Sequence, residues 1–297
     1  MNLELASKNF LGIENNAIDQ SDIVIVPFGL EKSVSFGGGT AQGPKRIIEV
    51  SPELEFFDEE LRKETYKEIK FCLLQEPAIR DDAQEAINQL EEIAAEIFAL
   101  NKFPLILGGE HTVTIGPVKA ALKKYGQISI LHFDAHSDLR NSLEGNKLSH
   151  GAVMRRCFEP GGVNLTQVGI RNISNEPSEG GEYDFVMANS ARIKTFWARD
   201  RRKWNLDEIV DSLGENVYLS FDVDVFDSSL MPSTGTPEPG GLDWYLVNDI
   251  LKIAFARKNV IGADFVELAP IANFHAPDFV AAKLVYKCIG YKLAGGR

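Results

Sequence analysis

Apolar residues fall along the chain in short continuous runs that alternate with stretches of helical spacing. The run at 22–28, DIVIVPF, is rich in β-branched residues and closes at Gly29, which predicts a buried strand. Runs at 103–107, 128–133, 163–170, 217–221 and 260–265 carry the same signature. Between them the period changes. Residues 82–100 place Ala86, Leu90, Ile93, Ala94, Ile97 and Phe98 on one face and acidic and polar residues on the other, which predicts a helix. Further helices are predicted over 118–124, 148–157, 206–213, 244–257 and 278–291. FGGGTAQGP at 36–44 lacks the G-K-[ST] ending of a phosphate loop, so it reads as a loop into a helix with Pro44 in the first turn. Residues 174–205 show no clear period. Their first part reads as an exposed loop, and KTFWARDRRKW mixes aromatic and basic residues.

Strand and helix alternate nearly end to end, which predicts an α/β fold with one parallel sheet covered on both faces. No linker composition or repeat interrupts the pattern, so one domain over 1–297 is expected. Apolar residues make up 44% and charged residues 25%, which places the chain among ordinary globular proteins. A net charge of -12 argues against a nucleic-acid partner and is compatible with a cationic ligand. No run is long enough to span a membrane, and no secretory leader is evident. Cys72, Cys157 and Cys288 are sparse, odd in number and far apart, so they fit buried thiols in a reducing cytoplasm.

Chemistry concentrates where the predicted strands end. In DAHSD, Asp134, His136 and Asp138 sit two apart, so an extended chain would aim all three to one side. SFDVD repeats the device with Asp222 and Asp224, and FPLIL runs into GGEH with Glu110 and His111. The carboxyl edge of a parallel sheet is where ligands bind. Pooled, His111, Asp134, His136, Asp138, Asp222 and Asp224 carry four carboxylates and two imidazoles, too many anions for one small cation. Two divalent ions with shared carboxylates suit them. Oxygen and imidazole donors without thiolate favour Mn²⁺ or a similar ion. Singly, each motif also fits a polar loop entry, and His132 and His275 read as satisfied polar residues.

GGEHTVT, FDAHSDLR and SFDVDVFD resemble the three metal-binding signatures of the ureohydrolase family, which includes arginases and agmatinases. The resemblance extends to GGGTAQGPKRI, SHGAVMRR, TGTPEPGGL and GADFVEL, in order along most of the chain. It implies a three-layer α/β/α fold around a central eight-stranded parallel sheet. It also implies a pair of Mn²⁺ ions and cleavage of a guanidino group to urea and an amine. By resemblance, His111, Asp134, Asp138 and Asp222 hold one ion, and Asp134, His136, Asp222 and Asp224 the other. His150 matches the family's proton-shuttling histidine, and Glu267 matches the carboxylate that binds the guanidinium. Asp138 would orient the nucleophile. Trimers or hexamers are expected on the same ground.

Family members that act on arginine carry an Asn two positions after D-x-H-x-D, where this chain has Arg140. That segment and TPEPGGL resemble agmatinases. The expected substrate is therefore a guanidino compound with an amine tail, agmatine first, with Glu238 either facing that tail or solvated in its loop. Ser228 stands where many members have Pro, and Ala152 and Val153 where many agmatinases have Thr-Pro. Other guanidino substrates (aminopropylagmatine, guanidinobutyrate, arginine), another two-metal hydrolase, and a metal-binding regulatory homologue without catalysis are the competing readings.

Overall fold

Every predicted strand joins one sheet in the structure, a computed structural model that describes residues 3–295. In chain order the elements are β1 (Ile23–Phe28), α1 (Gly43–Val50), a small hairpin β2 (Phe57–Asp58) and β3 (Lys63–Glu64), β4 (Phe71–Leu73) and α2 (Ala83–Ala99). Then come β5 (Phe103–Gly108), α3 (Ile115–Tyr125), β6 (Ile128–Phe133), α4 (Val153–Phe158), β7 (Val163–Ile170), α5 (Glu182–Ala188) and β8 (Ile193–Trp197). The chain closes with α6 (Leu206–Asp211), β9 (Asn216–Asp222), α7 (Trp244–Arg257), β10 (Asn259–Val266) and α8 (Ala276–Gly295).

The large sheet has eight strands in the order β4-β1-β5-β10-β9-β6-β7-β8. All its pairings are parallel. The helices α1, α6, α7 and α8 share one core with the sheet, while α2, α3 and α4 pack on the opposite face. Strands covered on both faces must be apolar throughout, which is why β1, β5 and β6 read as unbroken runs. Two prolines interrupt those runs without breaking the ladder. Pro27 lies beyond the three residues of β1 that pair with β4, and Pro104 lies before the part of β5 that pairs with β10.

The structure differs from the sequence reading at the sheet edges. The unassigned stretch 174–205 supplies α5 and the edge strand β8, and the other edge, β4, is only three residues long. Edge strands have a partner on one side only, so they can be short and half polar, and their pattern is weak. The helix read over 148–157 begins as a 3₁₀ turn, His150–Ala152, before α4.

Adjacent strands β5, β10, β9 and β6 end together, and their exits must crowd. Gly109, after β5, lies so close to the loop beyond β1 that a Cβ there would stand 2.1 Å from the Leu30 carbonyl oxygen. Its own carbonyl accepts from Glu267 N at 2.8 Å. Gly109→Ala is therefore expected to push backbone apart at the exits and to destabilise by about 2 kcal/mol. A urea midpoint equal to that of the parent chain would show that this approach is not tight.

Candidate metal centre and active site

Three strand exits, those of β5, β6 and β9, bring the six pooled residues to one place. His111 follows β5, Asp134, His136 and Asp138 follow β6, Asp222 closes β9, and Asp224 lies in the next turn. All are buried except His136, which is one-quarter exposed. Around His111 Nδ1 stand Asp138 Oδ2 at 3.1 Å, Asp134 Oδ2 at 3.2 Å and Asp222 Oδ2 at 3.4 Å. Around His136 Nδ1 stand Asp224 Oδ2 at 2.9 Å and Asp134 Oδ1 at 3.5 Å. Asp134 thus gives one oxygen to each cluster, the arrangement a bridging carboxylate requires. The other oxygens of Asp222 and Asp224 are used locally, accepting from Asp224 N and Ala135 N at 2.8 Å each.

Convergence does not come from a fully extended chain. Pairing of β6 ends at Phe133, His136 makes a single bridge to Asn172, and Asp138 turns left-handed at φ 55°. Its carbonyl accepts from Met154 N and Arg155 N at 3.0 and 3.2 Å, so the opening turns of α4 help hold that turn.

Hydrogen bonds around the imidazoles decide which nitrogens are available. Ser220 Oγ donates to Asp264 Oδ1 at 2.9 Å and therefore accepts from His111 Nε2 at 2.9 Å. That leaves Nδ1 facing three carboxylates, with no hydrogen bond of good geometry to any of them. Burial opposes charge on His111, but Asp134, Asp138 and Asp222 outweigh it and hold its pKa well above the usual range, so without a metal a proton takes the place among these anions that a cation would fit. His132 differs. Its Nδ1 takes a hydrogen from Gln167 Nε2 at 3.2 Å, so its Nε2 donates to Asp134 Oδ2 at 2.8 Å. Burial lowers its pKa and keeps it neutral, the state of a supporting residue.

The titration pattern describes the same frustration. Burial raises the Asp138 carboxyl to about 7, helped by the Asp134 charge. Asp222 is raised well above its ordinary range by burial and then by Asp224 and Asp134. Burial opposes charge on His136, but Asp224 and Asp134 outweigh it and lift the imidazole to about 12. Without another cation, protons fill the place of one.

Glu267 also lies at a left-handed position, φ 66°, and its Oε1 accepts from His111 N at 2.6 Å. Burial raises its pKa to about 8, with Glu110 adding to the effect. It lines a narrow cavity of about 30 Å³ together with Asp138, His150, Asp222 and Asp224. His150 is gripped by hydroxyls, Ser33 Oγ at 3.2 Å from Nδ1 and Ser35 Oγ at 2.8 Å from Nε2. Neither serine stood out in the sequence, because the loop 31–39 has no period. Glu110 anchors that loop by accepting from Lys32 N and Ser33 N at 2.7 and 2.6 Å.

A wider chamber of about 210 Å³ opens beyond Asp138 and His150 and is lined by Arg140, Leu143, Asn172 and Glu182. Arg140 is therefore near the site, but its guanidinium pairs with Glu179 and lies 3.6 Å from Glu182 Oε2. Glu238 is half-buried, and its Oε1 accepts from Nδ2 of the lining residue Asn172 at 2.6 Å.

The family model for "Arginase family" matches residues 21–290. The chain belongs to the arginase family. An N(1)-aminopropylagmatine ureohydrolase of Thermus thermophilus is 36% identical over 283 residues, covering 95% of this chain and 94% of the relative. An agmatinase of Bacillus anthracis is 35% identical over 269 residues, covering 90% of each chain. The solved agmatine ureohydrolase of Thermoplasma volcanium superposes with a TM-score of 0.82 at 27% identity, covering 93% of this chain and 92% of that one. The eight-stranded parallel sheet with helical layers is thus the arginase-family fold expected from the motifs. Among the described residues no helix is long and apolar enough to cross a membrane.

Cation binding must displace the protons now held by the clusters. Titration with Mn²⁺ is expected to release protons, so the measured heat should depend on the buffer's ionisation enthalpy, and affinity should rise from pH 6 to pH 8. Heat independent of buffer together with an affinity flat in pH would contradict this donor set.

Proposed function

We propose that this arginase-family chain is a ureohydrolase that uses two Mn²⁺ ions and cleaves agmatine to putrescine and urea. His111, Asp134, His136, Asp138, Asp222 and Asp224 would hold the ions. Bound there, such a pair lowers the pKa of water and supplies hydroxide at neutral pH. The observation that carries the reading is His111 Nδ1 held against three carboxylates, with Glu267 on the same narrow cavity.

The remaining chemistry belongs to the protein's own side chains. A guanidinium carbon is a weak electrophile because its charge is delocalised, so orientation matters. Glu267 is placed to accept paired hydrogen bonds from a planar guanidinium. Asp138 is placed to accept a proton or hydrogen bond from the nucleophile. The departing amine needs a proton. With Ser33 donating to Glu110 at 3.1 Å, the His150 ring proton sits on Nδ1 and its Nε2 faces the Ser35 hydroxyl. Burial lowers the His150 pKa, which suits an imidazole that releases a proton readily.

An amine tail fits the outer chamber better than the α-amino acid end of arginine. Arg140, the cation that would meet a carboxylate, is already paired with Glu179. The width of the chamber also favours a second reading, aminopropylagmatine, whose tail is longer. A cytoplasmic location and a trimeric or hexameric assembly complete the proposal.

Urea release from a panel of guanidino compounds after Mn²⁺ loading tests it. Agmatine or aminopropylagmatine should exceed arginine in kcat/KM by about 100-fold or more. His136→Ala and Asp224→Ala should each remove activity, and His150→Asn should lower kcat by about 100-fold or more. Faster hydrolysis of arginine would refute the tail reading. Full turnover in His136→Ala would refute the site.

A further inference from the structure

Glu182 opens α5 and is only 3% exposed. It comes from the stretch whose period the sequence does not disclose, and no step proposed above uses it. Its Oε1 accepts from both sides of Asp138, from Ser137 Oγ at 2.5 Å and from Leu139 N at 2.8 Å. Its Oε2 accepts from Ser174 N at 2.8 Å, beyond the exit of β7. One carboxylate therefore brackets Asp138 and ties the bracket to the neighbouring strand exit.

Asp138 needs such a bracket. A residue with a Cβ occupies the left-handed region only when its surroundings over-determine it. Two restraints are visible. The amides of Met154 and Arg155 hold the Asp138 carbonyl, and Glu182 holds the groups before and after it. A carboxylate suits the task because it offers enough lone pairs for three donors at once. Arg140 Nε, 3.6 Å from Oε2, balances its buried charge.

We propose that Glu182 is the positioning residue for Asp138, holding the left-handed turn that keeps Asp138 Oδ2 3.1 Å from His111 Nδ1. The inference rests on the reading of Asp138 as a cation ligand. It gives the ion pair Arg140–Glu182 a second meaning. Groups on the wall of the outer chamber are mechanically joined to the metal-side turn, so a change in the chamber would be felt at Asp138.

Three variants test it: Glu182→Ala, Glu182→Gln, and Asp184→Asn as an exposed control on the same helix. In the metal-free protein, amide exchange over residues 135–143 should quicken about tenfold in Glu182→Ala and stay unchanged in the control. Affinity for Mn²⁺ alone should fall about 10- to 100-fold in Glu182→Ala, and kcat should fall with it while KM changes little. Glu182→Gln keeps an oxygen facing Ser137 and Leu139, so it should recover most of the Mn²⁺ affinity. Ser137→Ala removes one contact and should loosen the same segment less, which keeps the question measurable if Glu182→Ala does not fold. Parental exchange or parental Mn²⁺ affinity in Glu182→Ala would overturn the proposal. So would a Glu182→Gln variant as impaired as Glu182→Ala with the loss confined to KM, since that marks a charge contact with substrate. Failure of the parent chain to bind Mn²⁺ would count against the metal reading alone, because exchange in the metal-free protein still reports the hold of Glu182 on the turn.

Discussion

A single imidazole nitrogen set among three carboxylates governs this molecule. Asp264 accepts a hydrogen bond from Ser220, Ser220 accepts one from His111 Nε2, and Nδ1 is left facing Asp134, Asp138 and Asp222. Buried charges of one sign are costly unless opposite charge compensates them. The protein tolerates the arrangement because β5, β10, β9 and β6 are neighbours in a fully covered sheet, and their exits cannot move apart without breaking its ladder. The rigid apolar sheet and the crowded anionic edge are thus one design. The first supplies the stability that the second consumes, and a cation bound there would relieve the second.

How much of this could be read from the chain depended on where each residue sits. Strands buried on both faces leave an unmistakable apolar run, so the polar residues that end them stand out, and Asp134, His136, Asp222 and Asp224 are legible for that reason. Edges and loops leave no such trace. The strands β4 and β8 were missed because one flank of each is unpaired and need not be apolar. Ser33, Ser35 and Glu182 were missed because their roles are set by partners more than 40 residues away. Arg140 was legible as a departure from arginine-cleaving members, but its pairing with Glu179 was not, since Glu179 lies in the unassigned stretch. Glu238 reads from the chain either as facing the substrate tail or as solvated, and in the structure it is half-buried and hydrogen-bonded to Asn172 of the chamber wall.

The glycine-rich loop shows how a familiar pattern can serve another end. Such loops gather backbone N–H groups around an anion, often a phosphate. Here the anions are the protein's own carboxylates. Glu31 Oε2 accepts from Gly39 N, Thr40 Oγ1 and Ala41 N at 2.8, 2.8 and 3.0 Å. Glu110 fills the same role for Lys32 N and Ser33 N. Gly37 then rests on Gly235, where a Cβ would stand 3.0 Å from the Gly235 carbonyl oxygen. With its amides satisfied, the loop is fixed as a wall that presents Ser33 and Ser35 to His150. Its glycines answer a packing demand and the absence of a phosphate-loop ending is explained.

Chemistry and selectivity are therefore built from different material. The groups that could hold a cation sit on strand exits, where the sheet restrains their position. The chamber beyond them is drawn from loops around Arg140, Leu143, Asn172 and Thr236, which no ladder restrains. Loops of this kind can change length and charge while the sheet stays intact, which would let one such edge serve ligands of different shape. The separation is incomplete at one place. Asp138 is held left-handed by contacts that include Glu182, and Glu182 also meets Arg140 on the chamber wall. If Glu182 holds the Asp138 turn as proposed, substitutions in the chamber would be free only where they leave that carboxylate undisturbed, on the side away from α5.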